Sequence, residues 1–100
     1  MSIMTKEDIK KLISANKSIL EKYKVRSIAL FGSYVRDEQE EGSDIDFLVD
    51  FEEPSYENLI NLAFFLEELF HKKVELIPEG GISPYIDPYI RKELEVIEIP

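Results

Sequence analysis

Apolar residues recur at helical spacing along the first quarter of the chain. Ile9, Leu12, Ile13, Ile19, Leu20 and Tyr23 share one side of the repeat, which predicts an amphipathic helix over residues 6–23. Thr5 is placed to cap it, with Asp8 as the acid of a capping box. Lys6, Lys10, Lys17 and Lys24 form a polar strip on the same helix. That strip reads either as a solvated face or as a contact for phosphates or an acidic partner.

The pattern then changes period. Val25–Phe31 is a short apolar run that stops at Gly32, the mark of a buried strand followed by a turn. Tyr34–Glu40 leaves room for a helix of two turns, with Gly42 as its C′ residue. Asp44–Phe51 alternates strictly: Ile45, Phe47, Val49 and Phe51 point one way, Asp44, Asp46, Leu48 and Asp50 the other. This predicts a strand whose apolar side packs on helices and whose carboxylate side stays more open. Ser55 caps a second long helix, residues 56–70. Its apolar arc is wide, and Phe65 falls among the polar positions Asn58, Asn61 and Glu68. Phe65 is therefore expected on the surface, either as a lone exposed ring or, joined with Phe64, as a partner surface.

Lys73–Ile77 reads as a third strand, broken by Pro78-Glu79-Gly80-Gly81. Ser83 or Asp87, each followed by proline, starts a last helix through Glu93, and Leu94–Ile99 alternates as an edge strand would. Strands separated by helical segments imply a single sheet covered by helices, and the length implies one domain over residues 1–100.

Composition narrows the function classes. No apolar run exceeds Leu62–Leu66, far short of a bilayer span, and Met1–Asp8 lacks the apolar core of a signal peptide. The chain has no cysteine, hence neither disulfides nor thiolate chemistry. A cytoplasmic protein with no membrane contact is expected. The net charge of −9 is uneven: residues 1–26 hold seven Lys/Arg against three Asp/Glu, and residues 27–100 five against eighteen. An acidic body repels a phosphate backbone, which disfavours nucleic acid as a partner.

Three features carry candidate chemistry. Gly32 allows close backbone approach where a strand hands over to a turn, and Ser33 with the amides after it could hold phosphate oxygens, although Gly-Ser alone is also an ordinary turn. Asp44 and Asp46 are same-face neighbours on a strand. They repel unless a divalent cation neutralises them, and oxygen-only ligands at this spacing suit Mg²⁺. Glu75, central in the third apolar strand, reaches the same face if that strand pairs beside Asp44–Phe51; otherwise it is a solvent-facing edge residue.

Phe31-Gly32-Ser33-Tyr34-Val35-Arg36, followed by Ser43-Asp44-Ile45-Asp46-Phe47-Leu48-Val49, resembles the signature of the minimal nucleotidyltransferases of the DNA polymerase β superfamily. More narrowly, the whole chain resembles the MntA-type antitoxins paired with HEPN-domain toxins. The resemblance implies an α+β, two-layer nucleotidyltransferase fold with a single mixed sheet of three or four strands covered by helices. It implies that Asp44, Asp46 and Glu75 are catalytic and ligate one or two Mg²⁺ ions. Gly32, Ser33, Arg36 and Ser43 would bind the nucleotide, ATP. Family members usually carry Asp where this chain has Glu75, whose extra methylene displaces the carboxylate. Arg36 either neutralises phosphate charge or pairs with Asp37, Glu40 or Glu41.

The function so implied is that of an antitoxin in a type VII-like system, a protein adenylyltransferase moving AMP from ATP to a hydroxyl, expected to be a tyrosine's, on a cognate HEPN toxin. Two alternatives compete with it. One is a non-catalytic antitoxin that inhibits by binding through the Phe65 face. The other is nucleotide transfer to RNA ends or to a small molecule.

Overall fold

A computed structural model describes residues 4–99; the first three residues of the stretch read for a signal peptide lie outside it. The elements in chain order are α1 (Lys6–Ala15), α2 (Lys17–Lys22), β1 (Val25–Phe31), a 3₁₀ turn (Gly32–Tyr34), β2 (Ile45–Phe51), α3 (Tyr56–Phe70), β3 (Val74–Pro78), α4 (Asp87–Glu93) and β4 (Glu95–Val96). The sheet runs β3-β2-β1-β4. β2 is antiparallel to β1 and parallel to β3, and β4 lies antiparallel on the outer edge of β1. The mixed sheet and its helical cover agree with the expected architecture.

The N-terminal helix is capped as anticipated: Asp8 N–H donates to Thr5 Oγ1 at 3.3 Å and Thr5 N–H to Asp8 Oδ2 at 2.9 Å. The same bonds with Thr5 hold the Asp8 carboxyl below the ordinary carboxylate range. The single helix expected over residues 6–23 is two helices, divided at Asn16. The Asn16 side chain donates to Leu12 O at 2.7 Å, meeting a carbonyl that the next helical turn would otherwise satisfy. The buried stripe carries across the break, through Ile9 and Ile13 in α1 and Leu20 in α2, so periodicity alone could not reveal it. In the lysine strip, Lys6 and Lys10 lie 3.5 and 3.1 Å from the Glu95 carboxylate and clasp the edge strand to α1.

No helix forms over Tyr34–Glu40. The chain makes the 3₁₀ turn and then reverses at Asp37 in the left-handed region (φ +58°), which ends any helical run. Ser43 closes the loop, its Oγ accepting from Glu40 N–H at 2.8 Å. Exposed Gly42 lies in that turn rather than at a helix end.

On one face of the sheet Ile45, Phe47, Val49 and Phe51 pack with Ile9, Ile13, Leu20, Leu62, Leu66 and Phe70 to form the main core. The Phe47 and Phe70 rings meet at 6.1 Å between centroids. The carboxylate face is less open than expected: Leu48 and Phe31 are buried beneath Ile90 of α4, with Ile77, Ile82 and Leu94 around them. In α3, Phe65 packs against the core, and of these two neighbouring rings Phe64 is the exposed one, 64% accessible. Among the described residues no helix is long and apolar enough to cross a membrane.

Candidate functional site

The sheet register assembles the site around Asp46. In β1 its partner is Phe31, the residue before Gly32; in β3 its partner is Glu75. Asp46 thus stands between the Gly32–Ser33 turn and Glu75. Asp44 precedes β2 and is exposed, Glu75 is exposed on the edge strand, and Asp46 is half-buried. The condition set by the sequence, that the third strand pair beside the second, is met.

Gly32 adopts φ +83°, and a Cβ there would overlap Oδ2 of Asp46 and stand 3.2 Å from its carboxyl carbon. Both the backbone geometry and the proximity of the carboxylate require glycine. Burial first, then the charge of Glu75 and the hydrogen bond with it, then the charge of Asp44, push the Asp46 carboxyl up to about 6; Arg36 pulls in the opposite direction. The cluster is therefore short of positive charge.

Arg36 does not pair with Asp37, Glu40 or Glu41. Its Nη1 donates to both carboxylate oxygens of Glu93, at 3.0 and 2.9 Å, and its Nε to Glu38 at 3.0 Å. Those acids, Glu93 foremost, raise its pKa further. Glu93 also accepts the Gly32 N–H at 3.1 Å. Sequence reading missed Glu93. Its signal was spacing, since it lies three residues after Ile90 and so shares the side of α4 that packs on the sheet. Ser43 is occupied within its own loop and does not join the Asp46 cluster through a hydrogen bond with it.

Among the described residues no three acidic, His or Cys side chains converge as a self-sufficient metal site. The donor set nevertheless fits a hard divalent cation. It is all oxygen: Asp46 and Glu75 are register partners across β2 and β3, and the charges of Glu75 and Asp44 both act on Asp46. Mg²⁺ keeps waters and takes substrate phosphate oxygens, so one or two protein carboxylates suffice to hold it.

The profile of the nucleotidyltransferase domain matches residues 9–97. MJ1217 of Methanocaldococcus jannaschii, which bears a protein adenylyltransferase name, is 48% identical over 93 residues, covering 91% of this chain and 92% of its own. The protein adenylyltransferase MntA of Thermococcus cleftensis is 41% identical over 96 residues, covering 94% and 97%. Among solved structures, a minimal nucleotidyltransferase superposes with TM-score 0.78 at 29% identity, covering 99% of this chain and 100% of that one. Two toxin–antitoxin structures share the fold. One contains AMP-PNP (TM-score 0.66, 23% identity, 85% and 74% coverage). The other holds a tri-AMPylated Shewanella oneidensis HEPN toxin with its MNT antitoxin (TM-score 0.64, 20% identity, 91% and 73% coverage). A strand-end glycine pressed against the middle acid of a carboxylate row, within a match spanning nearly the whole chain, leaves one conclusion: the chain belongs to the nucleotidyltransferase domain family.

Proposed function

We propose that this chain is a protein adenylyltransferase antitoxin that moves AMP from ATP to a hydroxyl, a tyrosine's by preference, on a cognate HEPN toxin. The observation that carries the reading is Asp46, wedged between the Gly32–Ser33 turn and Glu75 with its carboxyl raised to about 6. Such a cluster suits a reaction that brings in cations and phosphates together. Likeness to adenylyltransferases named MntA supports the choice of protein as acceptor. The setting is the cytoplasm, and the chain acts as one domain.

In this reading the Gly32–Ser33 turn receives triphosphate oxygens at the Ser33 amide and hydroxyl, and Arg36 offsets phosphate charge beside it. Asp44 and Asp46, with Glu75, would hold Mg²⁺, which supplies Lewis acidity and orients the triphosphate when bound. The acceptor hydroxyl attacks the α-phosphorus, the bond to the departing pyrophosphate breaks, and a Glu75 carboxylate oxygen takes the hydroxyl proton. Glu75 is exposed on an edge strand, where an acceptor carried on another protein can reach it.

The test is incubation with α-labelled ATP, Mg²⁺ and the purified HEPN toxin. Label on the toxin, lost in Asp44→Ala with Asp46→Ala, is the expected result. Toxin inhibition that persists in that double variant without label would instead make the chain a binding inhibitor. Label on RNA or a small molecule would redirect the acceptor.

A further inference from the structure

Glu93 is tied into the turn from 61 residues away. It is the last residue of α4, and it is fixed from both sides. One turn before it, Ile90 is buried on Phe31 and Leu48. Just after it, β4 pairs with β1 through Ala29↔Val96 and Leu30↔Glu95. Its carboxylate is therefore not a freely swinging surface acid, and it makes three contacts: the Gly32 N–H and both bonds from Arg36 Nη1. Exposed ion pairs as a rule contribute little. A carboxylate that also accepts a backbone N–H, on a residue anchored by a buried neighbour and a strand, has the geometry of a brace.

We infer that Glu93 is a positioning residue for nucleotide transfer, bracing the Gly32–Ser33 turn and Arg36 so that both meet the triphosphate in one fixed arrangement. The inference rests on the reading of that turn as the phosphate-receiving element. Gly32 is held from two directions, with its Cα against the Asp46 carboxylate and its N–H against Glu93. A turn held at only one of these would be free to pivot, since its glycine has no side chain to restrict it. Arg36 likewise faces two acids, Glu38 and Glu93, and its charge reaches Asp46. Loss of Glu93 releases the guanidinium toward Glu38 and away from the cluster. Glu93 does not touch the reacting atoms; it acts through Gly32 and Arg36.

The same contacts allow an opposite reading, in which the Glu93 carboxylate occupies an amide that a phosphate oxygen should take and competes with the nucleotide. The two readings differ in sign. A brace loses affinity when removed; a competitor, when removed, leaves a tighter site.

The experiment titrates the full chain with AMP-PNP and Mg²⁺ by calorimetry, for wild type, Glu93→Gln and Glu93→Asp, well below each variant's unfolding temperature. The brace predicts AMP-PNP affinity about tenfold weaker in E93Q, the scale of one misplaced charge-assisted hydrogen bond, with partial recovery in E93D. It also predicts faster hydrogen exchange at the Gly32 amide in E93Q. Should E93Q fail to fold, E93D alone must weaken AMP-PNP binding and speed that exchange. Unchanged or tighter AMP-PNP binding in a folded variant overturns the brace alone. Wild-type protein that binds no AMP-PNP with Mg²⁺ overturns the nucleotide reading itself, and the brace with it.

Discussion

Asp46, as placed, excludes any side chain at position 32, because a Cβ on Gly32 would overlap its carboxylate. Glycine is needed twice, for that approach and for φ +83°. Gly32→Ala is predicted to cut AMP transfer roughly a hundredfold, since displacing one group by an ångström has that effect. It is also predicted to cost about 1 kcal/mol or more of stability through left-handed strain. Denaturant titration of Gly32→Ala in wild-type and Asp46→Ala backgrounds checks the cause. The penalty should shrink when the carboxylate is absent, and equal penalties in the two backgrounds would leave strain as the only term.

The raised Asp46 carboxyl makes stability depend on pH with a definite sign. Its ordinary value is 3.8 and its folded value about 6, so between these the folded chain binds more protons than the unfolded one. The Asp46 contribution to stability is therefore greatest below the ordinary value, falls as pH rises toward 6 and stays lower beyond it. Asp46→Asn removes the penalty. It is predicted to be more stable than wild type at pH 7 without divalent ions by about 1 kcal/mol after allowance for solvent screening, or roughly 5 °C. Melting temperatures from pH 4 to 7.5 in a chelator test this; a wild-type slope retained in the Asn variant would place its origin elsewhere. Added Mg²⁺ at pH 7 should raise the wild-type melting temperature and leave the Asn variant little changed.

The parts of the fold that the sequence made legible are those where local pattern and tertiary packing agree. Strict alternation in Asp44–Phe51 assigned both faces of β2, and Ser55 caps α3, its Oγ accepting from Asn58 N–H at 3.3 Å. Asn16 was hidden because its side-chain bond to Leu12 O interrupts the backbone without interrupting the apolar stripe. The segment after Tyr34 was misread because Asp37 adopts a left-handed conformation that its neighbours do not announce. In the candidate site, Gly32, Ser33, Asp44 and Asp46 lie within one short stretch and could be read together. The pairing of Asp46 with Glu75 depended on strand order, and that of Arg36 with Glu93 on how α4 packs, which no local spacing encodes.

Glu75 is the member of the acidic row whose two roles separate most cleanly. As a charge beside Asp46 it raises that carboxyl, and as a base it takes the acceptor proton. Glu75→Gln should lower the Asp46 pKa toward its ordinary range, read by carboxyl NMR titration, and reduce AMP transfer about a hundredfold or more. Glu75→Asp keeps the charge but shortens the reach, and is predicted to retain transfer within about tenfold. Transfer unaffected by Glu75→Gln would remove Glu75 from the chemistry while leaving its electrostatic effect intact.

The neighbouring rings of α3 make a pair of opposite predictions. Phe65 packs against the core formed by Leu62, Leu66 and the sheet, whereas Phe64 is 64% exposed. Phe65→Ala removes a partly buried ring and should destabilise the chain by about 1–3 kcal/mol, below the cost of a fully enclosed phenylalanine such as Phe47. Phe64→Ala removes surface that is already wet and should stay within about 0.5 kcal/mol of wild type. Urea unfolding midpoints decide between these expectations, with unchanged slopes confirming that only the folded state's stability has moved. The result also bears on recognition. If docking on the toxin uses the exposed Phe64 ring, Phe64→Ala should weaken toxin binding without loss of stability, and toxin binding equal to that of wild type would take Phe64 out of the interface.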